Sequence, residues 1–318
     1  MLRDMTNFAE RLMTSPFILT AGAVNTRLNH EFGLATPNGA AFIHLYSAEG
    51  RAALTTLYSS YMAVAAEHAA PMVVHTVTWR AHPDALARQG FDRPGDVRRV
   101  NGEAADFLLS LRRQVGVEDN VYIAGDMGPR IDGYDPAGAP DAATGEVYHR
   151  QQAEALAGSG VDLLTAVTFA SVEELLGVAR ALASTAMSYI LGAVVTAQGT
   201  MPDGTPMVEA VALVDAGTGR PPLNFIINCV HPTHFVEAAA TTGWPKPGRV
   251  IGLQGNASNL PLKERDQLDH VDGSEPEEFA ELMAGLQAQD LKILGGCCGT
   301  NPSHLHALAR RLMARYGR

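Results

Sequence analysis

The sequence predicts an α/β fold, a closed (β/α)8 barrel of the TIM type, on three observations. Eight short runs rich in Val, Ile, Leu and Phe are spread along 318 residues. Helix-period segments separate them, the pattern of repeated βα units around a parallel sheet, and eight such units close a barrel. Connections from helix to next strand are short (158–160, 184–188, 288–290), whereas those following strands are long (79–99, 126–145, 196–207, 255–274). One rim is therefore elaborated, and in such barrels that rim carries the site.

In chain order the expected strands are 17–23, 72–78, 121–125, 161–165, 189–195, 223–229, 249–254 and 291–296. Residues 1–14 precede the first as an N-terminal extension. The segment 41–46 (AFIHLY) has no helix dividing it clearly from the first unit, so it is assigned to a long loop rather than a ninth strand. Ser171 and Glu174 form a capping box ahead of Val172, Leu175, Leu176, Ala179 and Leu182. Ser274 and Pro276 open a helix expected to bury Phe279, Leu282, Met283 and Leu286. Asn301 and Pro302 start the last helix, with Leu305, Leu308, Leu312 and Tyr316 on its inner face. No internal repeat beyond the βα period and no low-complexity linker divides the chain, so 1–318 is taken as a single domain.

Apolar residues make up 46% and charged residues 18%, the profile of a packed globule rather than a disordered chain. Lys and Arg total 24 against 34 Asp and Glu, a net charge of −10 without any basic run, so nucleic acid is not an expected partner. No stretch reaches the length of a membrane span, and Asp4 and Glu10 interrupt the opening residues where a signal peptide would be free of acids. A cytoplasmic protein without membrane contact is the expectation. Nothing in the sequence fixes the oligomeric state, and a homo-oligomer is allowed.

The chain has 3 cysteines, Cys229, Cys297 and Cys298. An adjacent pair makes a strained disulfide, and an odd count cannot pair fully. Cys229 closes the sixth expected strand and the pair closes the eighth, so all three belong to the loop-rich rim. Zinc takes thiolates in tetrahedral geometry, and a catalytic site keeps three protein ligands and one open position. Gly295, Gly296 and Gly299 let the backbone turn around the pair, and the helix start near Asn301 favours thiolates. Two other readings compete: three small buried apolar side chains, or a closed structural zinc site with His231 or His234 as fourth ligand. Rim placement and the absence of cysteine elsewhere favour the open site. A substrate thiol in that position would lose its proton, which at a free pKa of about 8.5 it otherwise largely keeps at neutral pH. Its target would be an electrophilic carbon.

These residues resemble the homocysteine S-methyltransferase family. The resemblance is carried by Gly295-Gly-Cys-Cys-Gly-Thr300 with Pro302, by Asn228-Cys229-Val-His-Pro232, and by Ile123-Ala-Gly-Asp-Met-Gly-Pro129. It also runs through Tyr148-His-Arg-Gln-Gln-Ala-Glu-Ala-Leu156 and Val161-Asp-Leu-Leu164, covering roughly residues 15 to 317. It implies a methyltransferase in which Cys229, Cys297 and Cys298 bind zinc (Zn2+) and the zinc-bound thiolate of homocysteine takes a methyl group, giving methionine. The implied partners are a small-molecule thiol acceptor and an onium-type or cofactor methyl donor.

Three departures bear on the acceptor. Thr20 stands where the family has an Asp, Val167 where it has a Glu, and in Leu253-Gln-Gly-Asn256 only Asn256 remains of Tyr-Pro-Asn. Losing both acids would remove charge-assisted bonds worth about 1.5–3 kcal/mol each. The expected substrate contacts are Thr20, Gly22, Asp126, Val167, Asn228 and Asn256. The alternatives are methylation of a thiol without the amino-acid head, or a zinc- and thiol-binding barrel without turnover. Asp126, Arg130 and Asp132 are placed on the loop after the third strand. Trp79 and Tyr134 offer faces for an onium donor, His75 reads as a core histidine, Asn228 as support for the adjacent ligand, and Thr300 as a cap of the last helix.

Overall fold

The computed structural model describes residues 7–242, 248–260 and 270–316. Eight strands are present: β1 (Ile18–Thr20), β2 (Met72–His75), β3 (Val121–Met127), β4 (Leu163–Phe169), β5 (Tyr189–Ala193), β6 (Phe225–Val230), β7 (Val250–Gly255) and β8 (Ile293–Gly296). They pair parallel in sequence order, and β1 pairs with β8, so the sheet closes into a (β/α)8 barrel. Each falls on an expected run. The fourth extends beyond the expected 161–165 because its pairing with β5 continues past a bulge between Ala166 and Phe169.

The outer ring is formed by α3 (Ala48–Glu67), α5 (Asp96–Val115), α6 (Ala142–Ala157), α7 (Val172–Ala183), α8 (Met207–Gly217), α9 (Pro232–Thr242), α10 (Pro276–Gly285) and α11 (Pro302–Tyr316). Three short helices lie outside it, α1 (Phe8–Thr14) before the first strand, and α2 (Asn25–His30) and α4 (Pro83–Arg88) in rim loops. Segment 41–46 is a 3-10 helix that buries Phe42 and Leu45 and leads into Ser47, the N-cap of α3. Among the described residues, no helix is long and apolar enough to cross a membrane.

Tertiary contacts override three local expectations. Ser171 makes no side-chain cap bond on α7. Glu174 instead turns to the neighbouring unit, accepting from the Arg130 amide at 2.7 Å and meeting His149 Nε2 at 3.0 Å, and Asp203 takes the Val172 amide at 2.6 Å. The N-cap of α10 is Glu275 rather than Ser274, and Leu282 is half-buried. Tyr316 is 40% exposed, its ring 6.3 Å from Phe17, while Leu305, Leu308 and Leu312 are buried as expected.

The bore of the barrel has two layers. Ile18, Val73, Ala124, Leu163, Ile190, Ile226, Ile251 and Ile293 fill the lower one together with Tyr122. Helix α1 closes it from below: Asn7 caps the helix by accepting from the Glu10 amide at 3.0 Å, and Phe8 packs edge-on against Tyr122 at 5.5 Å, with Leu12 beside it. Burying side chains of this size contributes about 1.5–3 kcal/mol each. One step further along the strands the alternation reaches Thr20, His75, Asp126, Thr165 and Asn228, a polar layer under the loop-rich rim.

Candidate active site

Cys229 lies near the end of β6 with a left-handed φ of 56°, where the pairing with β7 is shifted between Asn228 and Val230. Thr168, at the bulge of β4, has φ 65°. Backbone of this kind costs on the order of 1–3 kcal/mol at a non-glycine residue and persists only where neighbours fix it. Here two asparagines do so. Asn256 Nδ2 donates to the Cys229 carbonyl at 2.7 Å, and Asn228 Oδ1 accepts from the Thr168 amide at 3.1 Å while its Nδ2 donates to Gln254 Oε1 at 2.5 Å. Asn228 lies so close over Gly192 that a Cβ there would collide with its Oδ1.

The cysteine pair follows β8 on a tight turn. The Cys297 amide donates to the Gly255 carbonyl at 2.7 Å, and the Cys298 carbonyl accepts from the Ala257 amide at 3.0 Å. Gly299 takes the left-handed φ of 81° that the turn needs. Thr300 closes it, its amide and hydroxyl both donating to the Cys297 carbonyl, at 3.2 and 2.7 Å. Thr300 thus binds backbone rather than sulfur, and it does not cap the last helix as the sequence suggested: Asn301 Oδ1 accepts from the Ser303 amide at 2.9 Å instead.

The three Sγ atoms lie within 4.8 Å of one another. Thiolates at about 2.3 Å from one tetrahedral ion sit about 3.8 Å apart, so the cluster fits such an ion with little adjustment. No other described His, Asp or Glu joins the group within that span. Neither His231 nor His234 joins the three sulfurs within that span, which counts against a closed four-ligand site. The thiols bond to one another. For Cys229 the bond with Cys297 lowers the pKa, but the bond with Cys298 and burial outweigh it and push it to about 12. Bonds from Cys229 and Cys298, with burial, likewise hold Cys297 well above the ordinary thiol range. A cation among them would reverse this. The Tyr134 hydroxyl also bonds the Cys229 sulfur, and burial followed by the neighbouring cysteines keeps that phenol protonated. A second group, Glu67, His68 and His306, has ligand atoms equally close but lies at the C-terminal end of α3 and on α11, apart from the three cysteines.

The sulfurs open into a cavity of about 180 Å³. Of the expected substrate contacts, Gly22, Asp126 and Val167 line it. Thr20, Asn228 and Asn256 stand behind its wall. Thr20 packs over Gly295 with its hydroxyl buried and unpartnered, and the two asparagines brace the backbone. Asp126 is on β3 itself rather than on the following loop. It accepts from Thr165 Oγ1 at 2.7 Å, and burial pushes its carboxyl up to about 8 against that bond and one from the Met127 amide. His75 lines the cavity 3.5 Å from Gln254, and burial lowers it to about 4, so the ring is neutral. Sequence reasoning missed Gln254 and Thr168 as wall residues: one stands where the family motif is lost, and the other turns inward only through a bulge. Arg130 pairs with Asp84 at 2.8 Å, and Asp132 accepts from the amides of Tyr134 and Asp135; neither lines this cavity. Trp79 does, with Nε1 donating to the Val167 carbonyl at 3.1 Å and the Arg80 guanidinium 4.1 Å from its ring centroid.

Comparison with known proteins gives a consistent picture. The family model described as homocysteine S-methyltransferase matches residues 18–312. The homocysteine S-methyltransferase of Escherichia coli (strain K12) is 23% identical over 248 residues, 74% of this chain and 78% of that protein. Betaine–homocysteine S-methyltransferase 1 of Bos taurus is 26% identical over 267 residues, 77% of this chain and 61% of its own length. Crystal structures of the homocysteine methyltransferase MmuM from Escherichia coli in oxidised and metallated forms share the fold, with TM-scores of 0.76 and 0.75 at 20% identity. They cover 94% of this chain and 97% and 98% of theirs.

Proposed function

The chain belongs to the homocysteine S-methyltransferase family, and from that premise we propose that its single barrel domain methylates the sulfur of homocysteine, held in the cavity against Cys229, Cys297 and Cys298. The convergence of those three sulfurs at one cavity wall carries the reading. They would hold zinc, which when bound draws the pKa of an acceptor thiol down so that it ionises at neutral pH. The rest falls to the protein. Ala21, Val77 and Val167 line the cavity with hydrocarbon and keep water from the sulfur. The Tyr134 hydroxyl, bonded to the Cys229 sulfur, closes the cavity from the loop after β3. Asp126, the sole carboxyl among the described wall residues, is available to the acceptor's ammonium, whose arrival would release the Asp126 proton. The new S–C bond forms as the donor's bond from its methyl carbon to nitrogen or sulfur breaks, and that electron pair leaves with the neutral amine or thioether.

One observation favours a second reading. Val167 is apolar and Thr20 packs over Gly295 without lining the cavity, so an acceptor without an α-amino group would lose little there. A methyl-transfer assay of zinc-loaded protein, with homocysteine beside thiols lacking the amino group and a donor panel, decides between them. Homocysteine as the best acceptor supports the first reading, preference for an amino-free thiol supports the second, and no product from any pair rejects both. Zinc content of Cys298→Ser is an independent check: a full complement in that variant would sink the three-cysteine site.

A further inference from the structure

Ligand-type atoms converge a second time at the seam of the barrel. β1 pairs with β8 there, and the helices that follow those strands, α3 and α11, pack side by side. Glu67 is the last residue of α3, His68 is its C-cap, and His306 lies one turn into α11. His68 Nε2 is 3.1 Å from His306 Nδ1, and the Glu67 carboxylate oxygens are 3.9 Å from the first and 3.6 Å from the second. Zinc binds imidazole nitrogen and carboxylate oxygen at about 2.0–2.2 Å, which in a tetrahedron sets ligand atoms about 3.4 Å apart, so each separation is within about 0.5 Å of such a site.

The bonding around the group leaves its lone pairs to a cation. Among the described residues Glu67 has no Lys or Arg partner and meets only the two imidazoles. Arg310, one turn beyond His306 and near enough to act on His68 through space, pairs with Glu277 on α10 instead. Burial lowers the His68 pKa, outweighing Glu67, so the ring is neutral at neutral pH and offers a lone pair rather than a charge. An ion pair with Glu67 therefore does not account for the convergence, and a hydrogen bond between the two rings would not require the carboxylate. Glu67 and His306 are partly open to solvent, which gives an ion an entry path and a water for its fourth position.

We infer that Glu67, His68 and His306 form a zinc-binding site, apart from the three cysteines, that clasps α3 to α11 across the barrel seam. His68 and His306 are 238 residues apart in sequence, so the ligands meet only when β1 and β8 have closed the ring. Binding there stabilises the closed barrel over the unfolded chain, which holds no preformed site. Two imidazoles and a carboxylate suit zinc and its transition-metal neighbours, whereas Mg2+ and Ca2+ take oxygen ligands.

Calorimetric titration of the metal-free full chain with Zn2+ tests this in wild type and in Cys298→Ser, so that the outcome stands whatever the cysteine site does. In both proteins one zinc equivalent should weaken at least about 10-fold with His306→Ala and with Glu67→Gln, the least expected when even a group that only supports a ligand is lost. With Co2+ that equivalent should appear without the sulfur-to-metal charge-transfer band of thiolate ligation, and a large excess of Mg2+ should leave it bound. In Cys298→Ser the melting temperature should rise about 4 °C at free zinc about 100-fold above the dissociation constant, and most of that rise should vanish when His306→Ala is added. Zinc uptake by both variants equal to that of their parents, a charge-transfer band on every cobalt equivalent, or displacement by Mg2+ would overturn the inference and leave a hydrogen-bonded histidine pair. Should His306→Ala not fold, Glu67→Gln, at an exposed position, carries the same decision.

Discussion

The lower and upper layers of the bore come from the same strands with the same two-residue alternation, but their chemistry is opposite. Below, Ile18, Ile190, Ile226, Ile251 and Ile293 pack with Phe8 and Leu12 into dry hydrocarbon. Above, Asp126 is buried with its carboxyl held near 8, the Thr20 hydroxyl has no partner, and Thr168 and Cys229 sit in left-handed backbone. Each upper feature costs stability, and the hydrocarbon beneath offsets it. The comparison locates stability and chemistry within one barrel about two residues apart along each strand.

The largest effect that could break this division is on activity. Cys297→Ser should reduce methyl transfer to background while its denaturant midpoint stays near wild type, because no lower-layer contact changes; a large fall in stability would show that the cysteine turn also holds the barrel. Ile226→Ala should do the reverse. Removing that side chain from the packed layer should cost about 2–5 kcal/mol of stability in denaturant titrations, with turnover at wild-type level where the variant is folded. A kcat reduced as far as in the cysteine variant would mean that the layers are not separable.

A smaller effect sharpens the boundary through pH. The Asp126 carboxyl is raised in the folded state from the unfolded value of about 3.9 to about 8. The native chain therefore binds more protons than the unfolded chain between those values, and this group's contribution to stability is lost as pH rises from about 4 to about 8. Asp126→Asn keeps an acceptor for the Thr165 hydroxyl and cannot ionise. Its denaturant midpoint should fall less than that of wild type between pH 5 and pH 8.5; parallel profiles would place Asp126 in a wetter, ionised environment.

The barrel was legible because hydrophobic runs and loop lengths are local signals, and the cysteine site because three rare residues lie at strand ends. What sequence could not supply was direction. The Asn-Cys motif gives no hint that Asn228 braces Thr168 across β5, since that contact depends on two bulges and on Gly192 making room. Glu174 has the spacing of a cap, yet its carboxylate is taken by Arg130 and His149 from the adjacent unit. His75, on an apolar run, lines the cavity because it ends the inward-facing row of β2. Short-range patterns thus fix which elements form, while contacts between units decide where their polar ends point.

Thr20 tests where the boundary between the layers runs. By sequence it stands at a position expected to touch the acceptor, but its side chain is 1% exposed, packs over Gly295 and leaves its hydroxyl without a partner. An unsatisfied buried hydroxyl contributes nothing favourable, and a nearly isosteric apolar group removes its desolvation cost. Thr20→Val should therefore leave the Michaelis constant for the acceptor unchanged and raise stability by no more than about 1 kcal/mol. An increase of about tenfold in that constant would make Thr20 a substrate contact, reached by a rotation of its side chain that the ligand itself induces. The sign of the stability change checks the premise, because a hydroxyl that already had a partner would make the valine variant less stable, not more.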